Sequence, residues 1–224
     1  MNCGSPPDAV ALLICFAVKE EAAFFTPQRI AGGSRVLITG MGRRNTSTRL
    51  QQTLRTLRPE RVITCGFAGA LDPQLKVGDL LFDADFDSGL ADLFTRHGAR
   101  TATFHCSTRV AVSVEEKKEL RRTTGCDAVE MESAVIRTVC RDAAIPSATL
   151  RAVSDTAAED MPLDFNALLT ADQKISIPRL ALALMKSPRS VPRLMELQRN
   201  TRLAARRLAD ALNGVLGSLR SAGV

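Results

Sequence analysis

Glu130 and Glu132 flank a single methionine in the run Val129-Glu130-Met131-Glu132-Ser133, and a third acid, Asp155, closes the run Leu150-Arg151-Ala152-Val153-Ser154-Asp155. Carboxylates where a strand gives way to a helix are unfavourable to bury without partners. Taken alone, the Glu-Met-Glu segment fits an acid at a helix start, which the helix dipole favours. The second run changes that reading, because in a parallel sheet both strand ends lie on the edge where open α/β sheets bind ligands. Acids gathered there can move protons, accept hydrogen bonds from hydroxyls and stabilise a developing cation.

The elements that must position these acids follow from local pattern. Thr123 to Ala128 reads as a turn leading into a short strand, and Ala134, Val135, Thr138 and Val139 recur at helical spacing. Ala9–Val18 is apolar and continuous, as in a strand covered on both faces. It ends at Lys19-Glu20-Glu21, where Ala22-Ala23-Phe24-Phe25 suggests a helix start. Arg35–Thr39 predicts another strand, followed by Gly40-Met41-Gly42-Arg43-Arg44-Asn45 and a polar helix from Thr46 to Leu57. Glycines at such a turn let backbone approach a ligand, and helix N-terminal amides attract anions. Asn45 stands where a dinucleotide fingerprint has its third glycine. Arg43 and Arg44 fit either a phosphate or plain solvent. Arg61–Cys65 predicts a strand running into Gly66-Phe67-Ala68-Gly69-Ala70-Leu71, and Ser107–Val114 predicts one before the charged helix Glu115–Leu120. Between them, Asp83, Asp85, Asp87 and Asp92 lack the terminal Glu of a calcium loop, and a solvated loop is expected. His97 and His105 read as surface or structural residues.

The chain's 224 residues can bury one substantial core, with no stretch that reads as a linker. Hydrophobic content of 45% and a mean hydropathy of +0.01 fit a globular protein. The net charge of +6 is uneven: 20 basic and 21 acidic residues lie up to Thr170, against 10 basic and 3 acidic beyond it. Trp and Tyr are absent, which disfavours a nucleic-acid surface built on aromatic stacking. Six cysteines show no metal-ligand spacing, and with no secretory signal pattern the expectation is a reducing cytoplasm. In the basic tail, Leu194, Leu197, Leu208, Leu212 and Leu216 alternate with arginines along a predicted long helix. Such a helix packs on its own protein or lies on an anionic membrane surface.

Four motifs in order resemble the nucleoside phosphorylase and nucleosidase superfamily, which includes the methylthioadenosine/S-adenosylhomocysteine nucleosidases: Ala17-Val18-Lys19-Glu20-Glu21, Cys65 to Leu71, Val129 to Ser133, and Leu150 to Asp155. The resemblance implies a single α/β domain over residues 1–224, with a central, mixed, largely parallel twisted sheet flanked by helices. Residues 171–224 would be a basic helical extension. It also implies roles. Glu21 would activate water, Asp155 would protonate the purine at N7, and Ser154 would steady Asp155. Glu132 would accept hydrogen bonds from the ribose diol while Met131 packs under the sugar. Glu130 would sit at the pocket wall or pair structurally. Met41, Gly66, Phe67, Ala68 and Gly69 would lie against purine and ribose, and Phe165 would close the pocket. Two departures stand out: Phe67 replaces a small polar residue, and the region from Asp83 to His105 is short. That shortening and the proline-bounded Leu/Arg tail resemble the hopanoid-associated branch, whose implied substrate is adenosylhopane. No cofactor or metal is implied, and a homodimer is. The implied partner is a purine nucleoside rather than a nucleic acid, in a cytoplasmic protein with peripheral contact at the inner membrane face. Hydrolysis, phosphorolysis, and a non-catalytic nucleoside or membrane binder remain the competing classes.

Overall fold

In the computed structural model, which describes residues 8–26, 32–170 and 175–221, the apolar runs form an eight-stranded mixed sheet. Its strands are β1 (Asp8–Phe16), β2 (Ser34–Ile38), β3 (Leu57–Ala70), β4 (Leu80–Ala84), β5 (Ala99–Thr101), β6 (Phe104–Cys106), β7 (Ala128–Glu130) and β8 (Ser147–Asp155). The main path runs β2-β1-β3-β8-β4-β5, with β7 pairing the tip of β3 and β6 pairing β7. β1, β2, β3 and β8 are mutually parallel, so their C-terminal ends share one edge. β4 is antiparallel to β8. All nine residues of β8 are buried, including Thr149 and Arg151 in its middle.

The helices are α1 (Arg43–Leu54), α2 (Ala91–Arg96), α3 (Val114–Thr124), α4 (Ser133–Asp142), α5 (Phe165–Leu168), α6 (Ile177–Lys186) and α7 (Ser190–Ser221). On one face of the sheet, Leu50 of α1 and Ile136, Val139 and Cys140 of α4 pack on Val10, Leu13 and Val62. On the other, Ala204, Leu208, Leu212, Val215 and Leu216 of α7 pack on Leu12, Ile14, Phe16 and Ile63. The C-terminal region thus divides. The second half of α7 belongs to the principal core, whereas α6 has no buried residue.

Several local expectations are corrected. Ala22–Phe25 forms turns, not a helix, among the described residues, and Ser107–Val114 is not a strand. Asp83–His105 is not a solvated loop. It holds the end of β4, a 3-10 turn, α2, β5 and β6. There Asp83 accepts from Arg137 at 2.5 Å, and Asp85 accepts from both the N–H and the hydroxyl of Ser147 at 2.9 Å. Elements of three to six residues hold too few periods to show in sequence; tertiary pairing forms them. His97 packs against Gly214, where a Cβ would lie 2.3 Å from Nδ1, and its Nε2 bonds Ser218 at 3.0 Å. Cys15, Cys65 and Cys140 are buried, and burial pushes the Cys140 thiol up to about 12. Cys3 lies outside the described residues.

Candidate active site

β7 brings the Glu-Met-Glu segment to the site from an unexpected direction. It pairs antiparallel with the tip of β3, Ala128 opposite Ala70 and Val129 opposite Gly69. The acids of β7 and β8 therefore meet because β7 runs against β3, not because both strands end on one parallel edge.

The two glutamates divide the work of the turn. Glu132 occupies the N-cap position of α4, yet its side chain makes no cap bond. Glu130 caps instead: its Oε2 accepts from the N–H groups of Glu132 at 3.0 Å and Ser133 at 2.8 Å, and its Oε1 accepts from the Ser133 hydroxyl at 2.7 Å. Glu132 is thereby free to face the cavity, where its Oε1 accepts from the Gly42 N–H at 3.1 Å. Gly42 has φ of 80°, a left-handed conformation that glycine adopts without strain.

Glu21 follows β1 and is 6% exposed. Its Oε2 accepts from the N–H groups of Ala17 at 2.8 Å and Val18 at 3.1 Å, and its Oε1 from that of Phe67 at 3.0 Å. The turn after β1 and the C-terminal part of β3 thus hold one carboxylate between them. Asp155 ends β8. Its Oδ1 accepts from the Ser154 hydroxyl and its Oδ2 from Lys117 Nζ, each at 2.7 Å.

One cavity of about 230 Å³ gathers these groups. Glu21, Met41, Phe67, Ala68, Gly69, Glu130, Met131, Glu132, Ser154 and Asp155 line it, together with Val129, Arg109 and Val110. Four expected members lie elsewhere. Phe165 opens α5 and does not line the cavity; Met161 does, and Asn166, one residue on from Phe165, fastens the loop at Val110 with bonds to its N–H and carbonyl. Arg43 and Arg44 are exposed in the first turn of α1, away from the cavity wall. Gly66 lies behind the wall, where an added Cβ would fall 2.4 Å from Glu21 Oε1 and 2.6 Å from Arg151 Nη1. Its role is to leave room for that contact.

Two residues are essential to the arrangement and were not singled out by pattern. Arg151, 1% exposed, donates from Nη2 to Glu130 Oε2 at 2.5 Å and to Thr64 at 3.2 Å, and lies 4.0 Å from Glu132 Oε2. Its Nε has no hydrogen-bond partner. A cation in the middle of a fully buried strand was the available signal, since arginine is rarely buried unless paired. Lys117, on α3, is equally buried. Its signal was hidden in a charged stretch that reads as a solvated helix face.

One guanidinium therefore serves three carboxylates, and they respond differently. Burial raises the Glu130 pKa, but Arg151, Ser133 and the backbone N–H groups outweigh it and hold the group low. Burial raises Glu21 against the lowering effect of Arg151 and its backbone donors. Burial, with the charges of Glu130 and Glu21, lifts Glu132 to about 7 despite Arg151. Glu132 thus changes charge near neutrality. Below the usual glutamate range it is protonated in both folded and unfolded chains. Between there and about pH 7 only the unfolded chain ionises, so stability falls across that window and stays lower above it. Glu132→Gln is expected to stabilise the fold at pH 8 by up to about 3 kcal/mol and far less at pH 4.5. Denaturant melts of both proteins at the two pH values measure this; an equal difference at each would refute it.

Comparison with known proteins places the geometry in context. The family model described as the phosphorylase superfamily matches residues 3–95 and 81–184. A 5′-methylthioadenosine/S-adenosylhomocysteine nucleosidase of Geobacillus kaustophilus is 28% identical over 203 residues, covering 74% of this chain and 86% of the relative. An aminodeoxyfutalosine nucleosidase of Campylobacter jejuni is 23% identical over 168 residues, 61% of this chain and 73% of the relative. Among solved structures, the futalosine hydrolase of Helicobacter pylori aligns with a TM-score of 0.64 at 18% identity, covering 94% of this chain and 98% of that one. A methylthioadenosine/S-adenosylhomocysteine nucleosidase of Colwellia psychrerythraea in complex with adenine gives 0.64 at 17% identity, covering 95% and 96%. At these identities the structural likeness establishes the fold.

Proposed function

Because the chain belongs to the phosphorylase superfamily, we propose that it cleaves the N-ribosyl bond of an adenine nucleoside, with water as the acceptor. The observation that carries this reading is the convergence of Glu21, Glu132 and Asp155, from three distant parts of the chain, on one sugar-sized cavity. The curated relatives, named as nucleosidases, support the same reaction class.

Cleavage of a ribosyl C–N bond develops positive charge on the sugar, and adenine leaves readily only when protonated. Each acid has a place in that scheme. Asp155 faces the base and passes it a proton at N7. Glu132 accepts from the ribose diol, and its negative charge, with that of Glu130 behind it, stabilises the cationic sugar. Glu21, lifted by burial, orients and deprotonates the attacking water. Met41 and Met131 supply apolar wall. Phe67 and Gly69 bring backbone close to the flat base.

Water is favoured over phosphate by the charges at hand. Arg43 and Arg44 are exposed and away from the cavity. Arg151 is already committed to Glu130. A phosphate beside Glu21 and Glu132 would meet repulsion.

The finer proposal concerns the group on the ribose 5′ carbon. A second cavity of about 790 Å³ shares Ala17, Val18 and Met41 with the first and reaches Ile38, Arg49 and Ile175. It is larger than a methylthio group requires, and its lining residue Ile175 lies two positions before α6, which exposes Ile177, Leu182 and Met185 beside Arg179 and Lys186. Among the described residues no helix is long and apolar enough to cross a membrane. An amphipathic helix of this kind instead lies in the interface of an anionic bilayer. A lipid nucleoside of the adenosylhopane type would use both features. The test is adenine release from methylthioadenosine, adenosylhomocysteine and adenosylhopane, with and without phosphate. The expected result is phosphate-independent release, fastest with the lipid. Release only with phosphate would overturn hydrolysis, and a preference for methylthioadenosine would overturn the lipid.

A further inference from the structure

Lys117 is the buried cation that the mechanism above leaves unused. It stands in the first turn of α3, which Ser113 caps by accepting the Glu116 N–H at 3.1 Å. Its side chain, 1% exposed, points away from water. All three ammonium protons are committed: to Asp155 Oδ2 at 2.7 Å, to the Thr156 carbonyl at 2.7 Å and to the Glu159 carbonyl at 2.8 Å. With Ser154 donating to the other oxygen of Asp155, each oxygen of that side chain accepts one hydrogen bond. One N–H of Lys117 is thus aimed at the group assigned to protonate the base.

We propose that Lys117 is the source of the proton that Asp155 delivers to the leaving base. This rests on the nucleosidase reading. When substrate fills the cavity and excludes water, a buried ammonium–carboxylate pair loses the solvation that favours its charge-separated form. The N–H bond of Lys117 directed at Asp155 breaks as an O–H bond forms on Asp155. That O–H bond then breaks as N7–H forms and the ribosyl C–N bond opens, the bonding pair leaving with adenine. Lys117 is left as a neutral amine, still donating to the carbonyls of Thr156 and Glu159. After product leaves, the proton that Glu21 took from the attacking water is released to solvent, and one returns from solvent to Lys117 through Asp155. A small cavity of about 60 Å³, lined by Asp155, Glu159, Asp160 and Asn200, lies beside the pair and gives water a second approach. Lys117 acts through Asp155 and is in that sense a positioning residue, but one that also carries charge to the reaction.

Lys117→Arg keeps the cation and its reach to Asp155, yet a guanidinium does not give up its proton. In the full-length chain, this variant is expected to release adenine with a kcat about 100-fold or more below wild type and a KM within about threefold. Hydrolysis of para-nitrophenyl β-ribofuranoside, whose leaving group departs without protonation, should stay within about threefold of wild type. Lys117→Gln, neutral and smaller, carries the same expectation if the arginine does not fold. Equal losses on both substrates would make Lys117 a structural residue and overturn the proposal, as would an undiminished kcat for adenine release. A wild-type chain that releases adenine while Lys117→Arg matches it overturns this inference alone. A wild-type chain that cleaves neither substrate overturns the nucleosidase reading with it.

Discussion

Asp155→Asn is expected to lower the rate of adenine release about 10³-fold, because the amide oxygen can still accept from Lys117 while its NH2 turns to Ser154, and the group cannot pass a proton to the base. The substitution has a second consequence. It leaves the Lys117 ammonium buried beside a neutral partner, and breaking a buried ion pair by removing one member typically costs about 3–5 kcal/mol. The retained amide oxygen and the two carbonyl acceptors soften that loss, so the variant should fold with a lowered melting temperature. Adding Lys117→Gln removes the orphaned charge. The double variant should recover part of the stability and none of the rate, which separates the two effects. Near-normal turnover in folded Asp155→Asn would remove Asp155 from its assigned place.

Gly66→Ala should damage the site from behind. The new Cβ would lie 2.4 Å from Glu21 Oε1 and 2.6 Å from Arg151 Nη1, and neither side chain has slack to move. Glu21 is held by three backbone donors, and Arg151 by Glu130 and Thr64. One of these sets must break. Overpacking of a filled core costs about 1–3 kcal/mol, and displacement of the water-activating acid should lower turnover by about 10²-fold or more. Gly69→Ala is the useful contrast, since its Cβ would meet Asp155 Oδ2 at 3.0 Å and Val129 at 3.3 Å. It should be milder in stability and should act on protonation of the base rather than on water. Melting curves and steady-state rates of the two variants test this. A Gly66→Ala protein with wild-type turnover would mean that Glu21 is not needed where it stands.

Much of the site was legible because strand ends announce themselves. Asp155 closes a predicted strand and Glu21 lies just beyond another, so a parallel sheet puts both at one edge, and the family resemblance chose Glu21 over Glu20. Lys117 and Arg151 were not legible in the same way. A lysine in Glu115-Glu116-Lys117-Lys118-Glu119 looks like every other charge on an exposed helix, and only the packing of α3 against the end of β8 turns it inward. Phe165 was misplaced for a related reason. The family resemblance puts an aromatic in this stretch of chain, but Phe165, at the start of α5, does not line the cavity and Met161 does.

The short region from Asp83 to His105 shows the same limit. Its acids read as loop residues because no period is long enough to show. Their partners, Arg137 for Asp83 and Ser147 for Asp85, are more than fifty positions away.

The amino-acid order determined where covered strands run and that carboxylates follow them, because apolar continuity and the polarity of strand ends are local properties, while its resemblance to a known superfamily implied the largely parallel sheet. Tertiary structure alone decided which acid caps a helix and which faces the cavity, that one arginine sits among three carboxylates, and that a lysine closes on Asp155. Those outcomes depend on antiparallel pairing at the tip of β3 and on space left by a glycine. Contacts between distant residues are set by how elements pack, not by the spacing within any one of them.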